Sequence, residues 1–307
     1  MRVAVTGANG RLGRALIAAL EEAPFTGPMG PIAWTRQHFD LDALDAPAVD
    51  RLLARDRPEV VIHTAAWTDV DGCAREPDRA ARRNADATGT LARACAAGGV
   101  DLIAISTNEV FDGRRTDGVG YGPGDVPAPA NPYGASKLAG ERAAQDAYVA
   151  TSGGQLAIIR TAWLFGPGKP DFPTKILAAA GEAARTGEPL RVTGDEWGCP
   201  TYAADVADAV VGLLAENEFA GIHHVVNGLF ATRADWARYV VGRAMLDVEV
   251  ENVPMSTWQR DSTPPRWGVL EPTPLPSGEP LRLWPDAMAD YAPILLREAA
   301  GRSRAAR

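Results

Sequence analysis

Short apolar runs alternate with amphipathic stretches through the first half of the chain: RVAVTG, RLGRALIAALEE, PIAWT, VVIHTAA, ATGTLARACAAGG and DLIAIST. The strand-like runs are continuously apolar, as strands buried on both faces of a parallel sheet must be. Leu12, Ala15, Leu16, Ala19 and Leu20 recur at helical spacing and give the first helix one apolar face. This βαβα rhythm predicts an α/β fold with a doubly wound parallel sheet. Right-handed crossovers bring the carboxyl ends of the strands to one edge. The turn after Val5, the AAWTDVD segment and the ISTNEVF segment therefore share one crevice.

Beyond residue 165 the rhythm loosens into a GPGKPDFP loop, a helix TKILAAAGEAARTG and a strand-like LRVTG. A further pair, ADVADAVVGLLAEN and GIHHVVN, reads as a helix and a strand returning to the main sheet. From residue 254 onward Pro and Trp are frequent and periodicity is weak. At 307 residues the chain exceeds one core. The expected division is a dinucleotide-binding domain from 1–165 plus about 202–229, and a smaller C-terminal substrate domain from about 166–201 plus 230–307.

TGANGRLG sets Gly7, Gly10 and Gly13 between a strand and an apolar helix, where missing side chains let a pyrophosphate approach the helix N-terminus. At the head of an alternating pattern this is a Rossmann cofactor turn, with Asn9, Arg11 and Leu12 as its other members. An acidic residue closing the second strand would hold the ribose diol of NAD, but here the strand ends Trp34, Thr35, Arg36, Gln37. A guanidinium pairs with a 2′-phosphate, so Arg36 favours NADPH over NADH, with Arg11 as a second cation. The competing reading of Arg36 is a solvated surface arginine.

PANPYGASKLAGERAA carries Tyr133 and Lys137 four residues apart at a helix start, hence on one face. A phenol of pKa about 10 needs roughly 4 kcal/mol of phenolate stabilisation to work near neutrality, which one ammonium at about 4 Å can supply. Thr107 closes the ISTNEVF strand, where its hydroxyl can hydrogen-bond a substrate carbonyl beside Tyr133.

In order along the chain stand the glycine turn, Leu41-Asp42, AAWTDVD, Asn84, ISTNEVFDG, YGASKLAGE, IRTAWLFG, DEWGCPT and GIHHV. The set resembles the extended short-chain dehydrogenase/reductases that reduce nucleotide-sugar 4-ketones, the dTDP-4-dehydrorhamnose reductase-like family. The resemblance implies reduction of the C4 ketone of a nucleotide-linked, dTDP-type 6-deoxysugar. It also implies a catalytic triad of Thr107, Tyr133 and Lys137. Gly7, Gly10, Gly13, Ala65, Ala66 and Thr68 then line the cofactor, with Asp42 on its adenine side, and Val70 and Trp163 face the sugar. Read from the residues alone, Trp163 is equally a core aromatic.

Two departures stand out. The family has Asp and an aromatic after the catalytic Thr, whereas this chain has Asn108 and Glu109, which belong to the substrate end. Sugar-nucleotide dehydratases and epimerases share the fold, and the dehydratases carry an Asp–Glu pair there. An amide cannot donate a carboxyl proton, so dehydration is disfavoured. The family's C-terminal Arg-Pro…Ser…Leu element is replaced by Pro264-Pro265-Arg266-Trp267-Gly268-Val269-Leu270. A different class of relative, the non-catalytic nucleotide-binding regulatory subunit, need not keep the triad; this chain has all three residues.

Composition narrows the partners. With 46% apolar and 23% charged residues the chain is an ordinary folded one, and a net charge of -8 without a basic cluster argues against nucleic acid. No apolar run is long enough to span a membrane. Cys73, Cys95 and Cys199 are odd in number and form no Cys-x-x-Cys pair, which fits reduced thiols in the cytoplasm and no metal site. The expected partner is a nucleotide-linked sugar, and a homodimer is left open.

Overall fold

The computed structural model describes residues 1–151, 153–217, 219–276 and 278–305. The alternating half of the sequence forms β1 (Val3–Thr6), α1 (Arg11–Glu22), β2 (Ile32–Trp34), α2 (Ala46–Asp56), β3 (Val60–His63), α3 (Val70–Arg75), α4 (Ala87–Ala97), β4 (Asp101–Thr107), α5 (Pro132–Val149) and β5 (Leu156–Thr161). The later αβ pair does return to the sheet, as α7 (Ala203–Glu216) and β6 (Gly221–His224); α6 (Phe172–Thr186) precedes it. The six strands are all parallel, in the order β2-β1-β3-β4-β5-β6. The order reverses at β1, so the crevice opens between the carboxyl ends of β1 and β3. Register places Thr6 beside His63 and Thr107 beside Thr161.

Apolar strand residues are buried on both faces. Val3, Val5 and Ile62 meet Leu12, Leu16 and Leu20 of α1 and Val206, Val210 and Leu213 of α7. Ala4, Val61 and Leu102 meet Leu52 of α2, Leu91 of α4 and Ala144 of α5. A separate core lies under α6, α8 (Arg233–Arg243) and α9 (Trp284–Ala305), centred on Ile176, Trp236, Val240, Met288 and Tyr291. Among the described residues no helix is long and apolar enough to cross a membrane.

Helix starts explain how the site is held. Asn131 caps α5 through Gly134 N at 2.8 Å, with Pro132 as first helical residue. Asp69 caps α3, Asp171 caps α6, and Thr232 and Asp235 form a capping box on α8. α1 differs: Gly10 offers no side chain, and the first turn has no acidic residue. Its leading N–H groups face the crevice edge without a side-chain acceptor.

Candidate active site

The glycine turn is fixed by a buried polar chain. Thr6 Oγ1 accepts from the backbone N of Thr64 and of Ala65, both at 3.1 Å, so its own proton goes to His63 Nδ1 at 2.8 Å. His63 Nε2 then carries the remaining ring proton and donates to Thr88 Oγ1 at 3.1 Å, which in turn donates to Asn84 O at 2.7 Å. Burial holds His63 neutral and, with the charge of Lys137 adding to it, takes its pKa down to about 3. Gly7 adopts φ +63°, and a Cβ there would lie 2.8 Å from Thr64 Oγ1. A Cβ on Gly13 would run into the Gly7 carbonyl. Bare backbone and an uncapped helix N-terminus together make a cradle that fits a dinucleotide pyrophosphate.

Other residues expected at the cofactor divide into two groups. Asn9, Gly10 and Thr68 are exposed at the lip, and Ala65 and Ala66 are half-buried beside the turn. The Leu12 side chain instead packs into the core, leaving only its backbone to the crevice. Arg11 does not stand free as a second cation: it donates to Gly166 O at 3.0 Å and Lys169 O at 2.5 Å and lies 3.8 Å from Asp171. Its guanidinium ties the loop after β5 to the start of α1. Arg36 is largely exposed and 3.3 Å from Asp42, which also receives Arg83 and lies near Arg79. Arg79 and Arg83 both sit over the Trp67 ring, at 5.2 Å from its centroid. Three guanidiniums thus converge on Asp42.

At the ends of β4 and α5, Thr107, Tyr133 and Lys137 are all buried at the same edge. The Thr107 hydroxyl neighbours the Tyr133 phenol and donates to Asn108 Oδ1 at 3.3 Å. Lys137 Nζ donates to Ile105 O at 2.7 Å, its only hydrogen bond among the described residues, so two ammonium N–H groups remain unmatched. That donor set suits a ribose diol. Burial lowers the Lys137 pKa to about 8 against the opposing charge of Glu141. The phenol differs from the expectation that Lys137 lowers it. Burial pushes the Tyr133 pKa well up, the charge of Glu109 adds to the rise, and only the Thr107 hydrogen bond opposes. The balance of these effects keeps the phenol protonated.

Around this group Val70, Trp67 and Cys73 pack on Tyr133. Asn108 does not point to open space: it is buried and donates to Gly268 O at 2.9 Å, fixing the 264–270 segment. Glu109 is half-buried, its Oε2 accepting from Asn131 Nδ2 at 2.6 Å. Burial, then the charge of Glu196, moves its carboxyl pKa upward, while Asn131, Arg233 and Arg260 oppose. Trp163 sits at φ +43°, stacked with Trp236, its ring covered by the Arg233 guanidinium at 3.6 Å. Arg233 is paired with Glu196 at 3.0 Å. Beyond lies a cavity of about 410 Å³ whose lining includes Phe172, Lys175, Arg191, Arg233, Trp258 and Arg260. None of these cavity residues is singled out by sequence motifs, because its cations come from separate segments that only the fold gathers. Asn131, which holds Glu109, carries a sequence signal of its own as an Asn-Pro helix start.

The family described as the RmlD substrate binding domain matches residues 1–293, nearly the whole chain. The chain belongs to this family. It is 34% identical over 298 residues to a dTDP-4-dehydrorhamnose reductase of Streptomyces griseus, covering 95% of this chain and 93% of the relative. It is 30% identical to a spore coat polysaccharide biosynthesis protein of Bacillus subtilis, over 94% of this chain and 96% of that one. Among solved structures, a dTDP-4-dehydrorhamnose reductase from Clostridium acetobutylicum superposes with a TM-score of 0.85 at 29% identity, covering 96% of this chain and 100% of the other. The Bacillus anthracis dTDP-4-dehydrorhamnose reductase in complex with NADP gives 0.82 at 28% identity, with coverages of 94% and 98%. The overall fold is therefore shared with these reductases.

Proposed function

We propose that the protein is an NADPH-dependent reductase of the C4 ketone of a dTDP-linked 6-deoxysugar, of the kind named in its relatives, working in the cytoplasm. The observation that carries the proposal is the buried cluster of Thr107, Tyr133 and Lys137 at one sheet edge together with the glycine cradle. When bound against Gly7, Gly10, Gly13, Ala65 and Ala66, NADPH supplies the hydride. The Thr107 hydroxyl orients the ketone oxygen, and Tyr133 Oη donates the proton that the forming alkoxide requires. A phenol whose pKa is held high is reliably protonated before turnover, which suits the reductive direction. Lys137 holds the ribose through its two unmatched N–H donors.

The dTDP moiety is assigned to the cavity of about 410 Å³, where Lys175, Arg233 and Arg260 suit a diphosphate and Phe172 and Trp258 suit a flat base. Residues 1–165 with about 202–229 hold the cofactor, and about 166–201 with 230–307 hold the substrate. The three guanidiniums around Asp42, Arg36 among them, favour the 2′-phosphate of NADPH. The test is NADPH oxidation with dTDP-4-dehydrorhamnose. Tyr133→Phe is expected to lower kcat by about two to four orders of magnitude with NADPH affinity within a few-fold of the parent. A Phe variant retaining most of its activity removes the mechanism.

A further inference from the structure

Glu109 has no part in hydride reduction, yet it is built into the carbonyl-binding edge with care. Its backbone N donates to Thr107 Oγ1 at 3.2 Å, and its carbonyl seats against Gly134, where a Cβ would collide with it. Its Oε2 is held by Asn131, the residue that caps α5 two positions before Tyr133. The carboxylate is thereby fixed with respect to both hydroxyls that receive the ketone oxygen. Oε1 takes no hydrogen bond among the described residues, and no cation lies within ion-pair distance; Arg233 and Arg260 act on it only by longer-range charge. A half-buried carboxylate with one oxygen free, beside the Thr107 and Tyr133 hydroxyls, is the arrangement that proton abstraction next to a ketone requires.

We infer that Glu109 makes this an enolising site, exchanging with solvent a hydrogen on a carbon flanking the C4 ketone. This rests on the reductase reading for its substrate. The carboxylate takes the proton from C3 or C5, and the electron pair of that C–H bond becomes the C=C bond of the enolate. The carbonyl π pair moves onto O4, where hydrogen bonds from Tyr133 and Thr107 receive it. Return of the proton from the Glu109 carboxylic acid restores the ketone, and its half-exposed face lets that proton exchange with water. No electron is gained or lost, and the hydride is not used. Elimination of water does not follow, because Asn108 is committed to Gly268 O and has no carboxyl proton for a leaving hydroxyl.

The experiment incubates the protein with NADP⁺ and dTDP-4-dehydrorhamnose in D₂O and follows the C3 and C5 protons by NMR, with mass as a second readout. The oxidised cofactor prevents reduction. One α proton is expected to be replaced by deuterium at least tenfold faster than in buffer, and the isosteric Glu109→Gln variant to lose at least 100-fold of that rate. Glu109→Asp, which retracts the carboxylate by one methylene, is expected to lose at least tenfold and serves if the Gln protein does not bind cofactor. Exchange at the buffer rate, or exchange preserved in both variants, overturns the inference. NADPH oxidation by the parent with the same ketone is run alongside. Absent exchange with intact oxidation removes enolisation alone, whereas absence of both removes the reductase reading as well.

Discussion

Lys137 is the residue whose charge is set most closely to working pH. With a pKa near 8, lowered by burial, it is an ammonium below that value and a neutral amine above it. Its two unmatched N–H donors are strong only while it is charged, so NADPH should bind more weakly as pH rises through about 8. A fluorescence titration across pH 6.5–9.5 checks this: the parent should lose affinity on the alkaline side, and Lys137→Met should bind weakly with no such limb. A Met variant with parental affinity removes the role. At this scale the clustering of Thr107, Tyr133 and Lys137 was legible, since helical spacing relates Tyr133 to Lys137 and a strand end presents Thr107. Other side chains were not, because their partners are remote in sequence. Arg11 is engaged 155 residues away, and Asn108 160 residues away. A lone arginine in a phosphate-binding turn reads as a free cation until the loop that claims it is seen.

Between elements, the triad depends on how α5 is seated on the sheet. Glu141, one turn beyond Lys137, accepts from Arg160 Nε at 3.1 Å and Nη2 at 2.7 Å and from the Ser106 hydroxyl. This joins α5 to β4 and β5 with both ions buried. Removing one partner of such a pair leaves the other charged and desolvated, which costs about 3–5 kcal/mol. Glu141→Gln should therefore lose roughly that much in urea unfolding at pH 7. It should also move the alkaline limb of NADPH binding below that of the parent, since the Glu141 charge supports the Lys137 ammonium. A loss under about 1 kcal/mol would show that the pair does not secure α5. The βα alternation was legible because buried parallel strands and one-faced helices have distinct periods. α9 was not, although Trp284, Ala287, Met288, Tyr291, Ala292 and Leu295 form a buried helical stripe. Pro285 and Pro293 interrupt that stripe, and Pro293 lies inside the helix, where an interior proline ordinarily argues against one.

For the molecule as a whole, two histidines locked neutral link folding to pH. His63 joins β1, β3 and the helical segment holding Asn84 and Thr88, and burial brings its pKa to about 3. His224, opposite Arg160 on the outer strand β6, is brought to about 4 by burial first and the Arg160 charge second. Unfolded, each takes up a proton near pH 6.5. Both folded values are depressed, so the unfolded chain binds more protons in the interval. The stability they contribute is fully present above about pH 6.5 and is lost as pH falls toward 3 to 4. From pH 7 to 5 each should account for roughly 2 kcal/mol of that loss. Urea unfolding at the two pH values, for the parent and for His63→Asn, measures the His63 share as a difference of differences, so a lower stability of the variant at pH 7 does not confound it. The variant should lose about 2 kcal/mol less than the parent on acidification. Equal losses would mean that His63 titrates in the folded protein as it does in the unfolded chain. The Thr6–His63–Thr88 chain would then be open to water, and the glycine cradle would lack the buried support that fixes Thr64 and Ala65 against it.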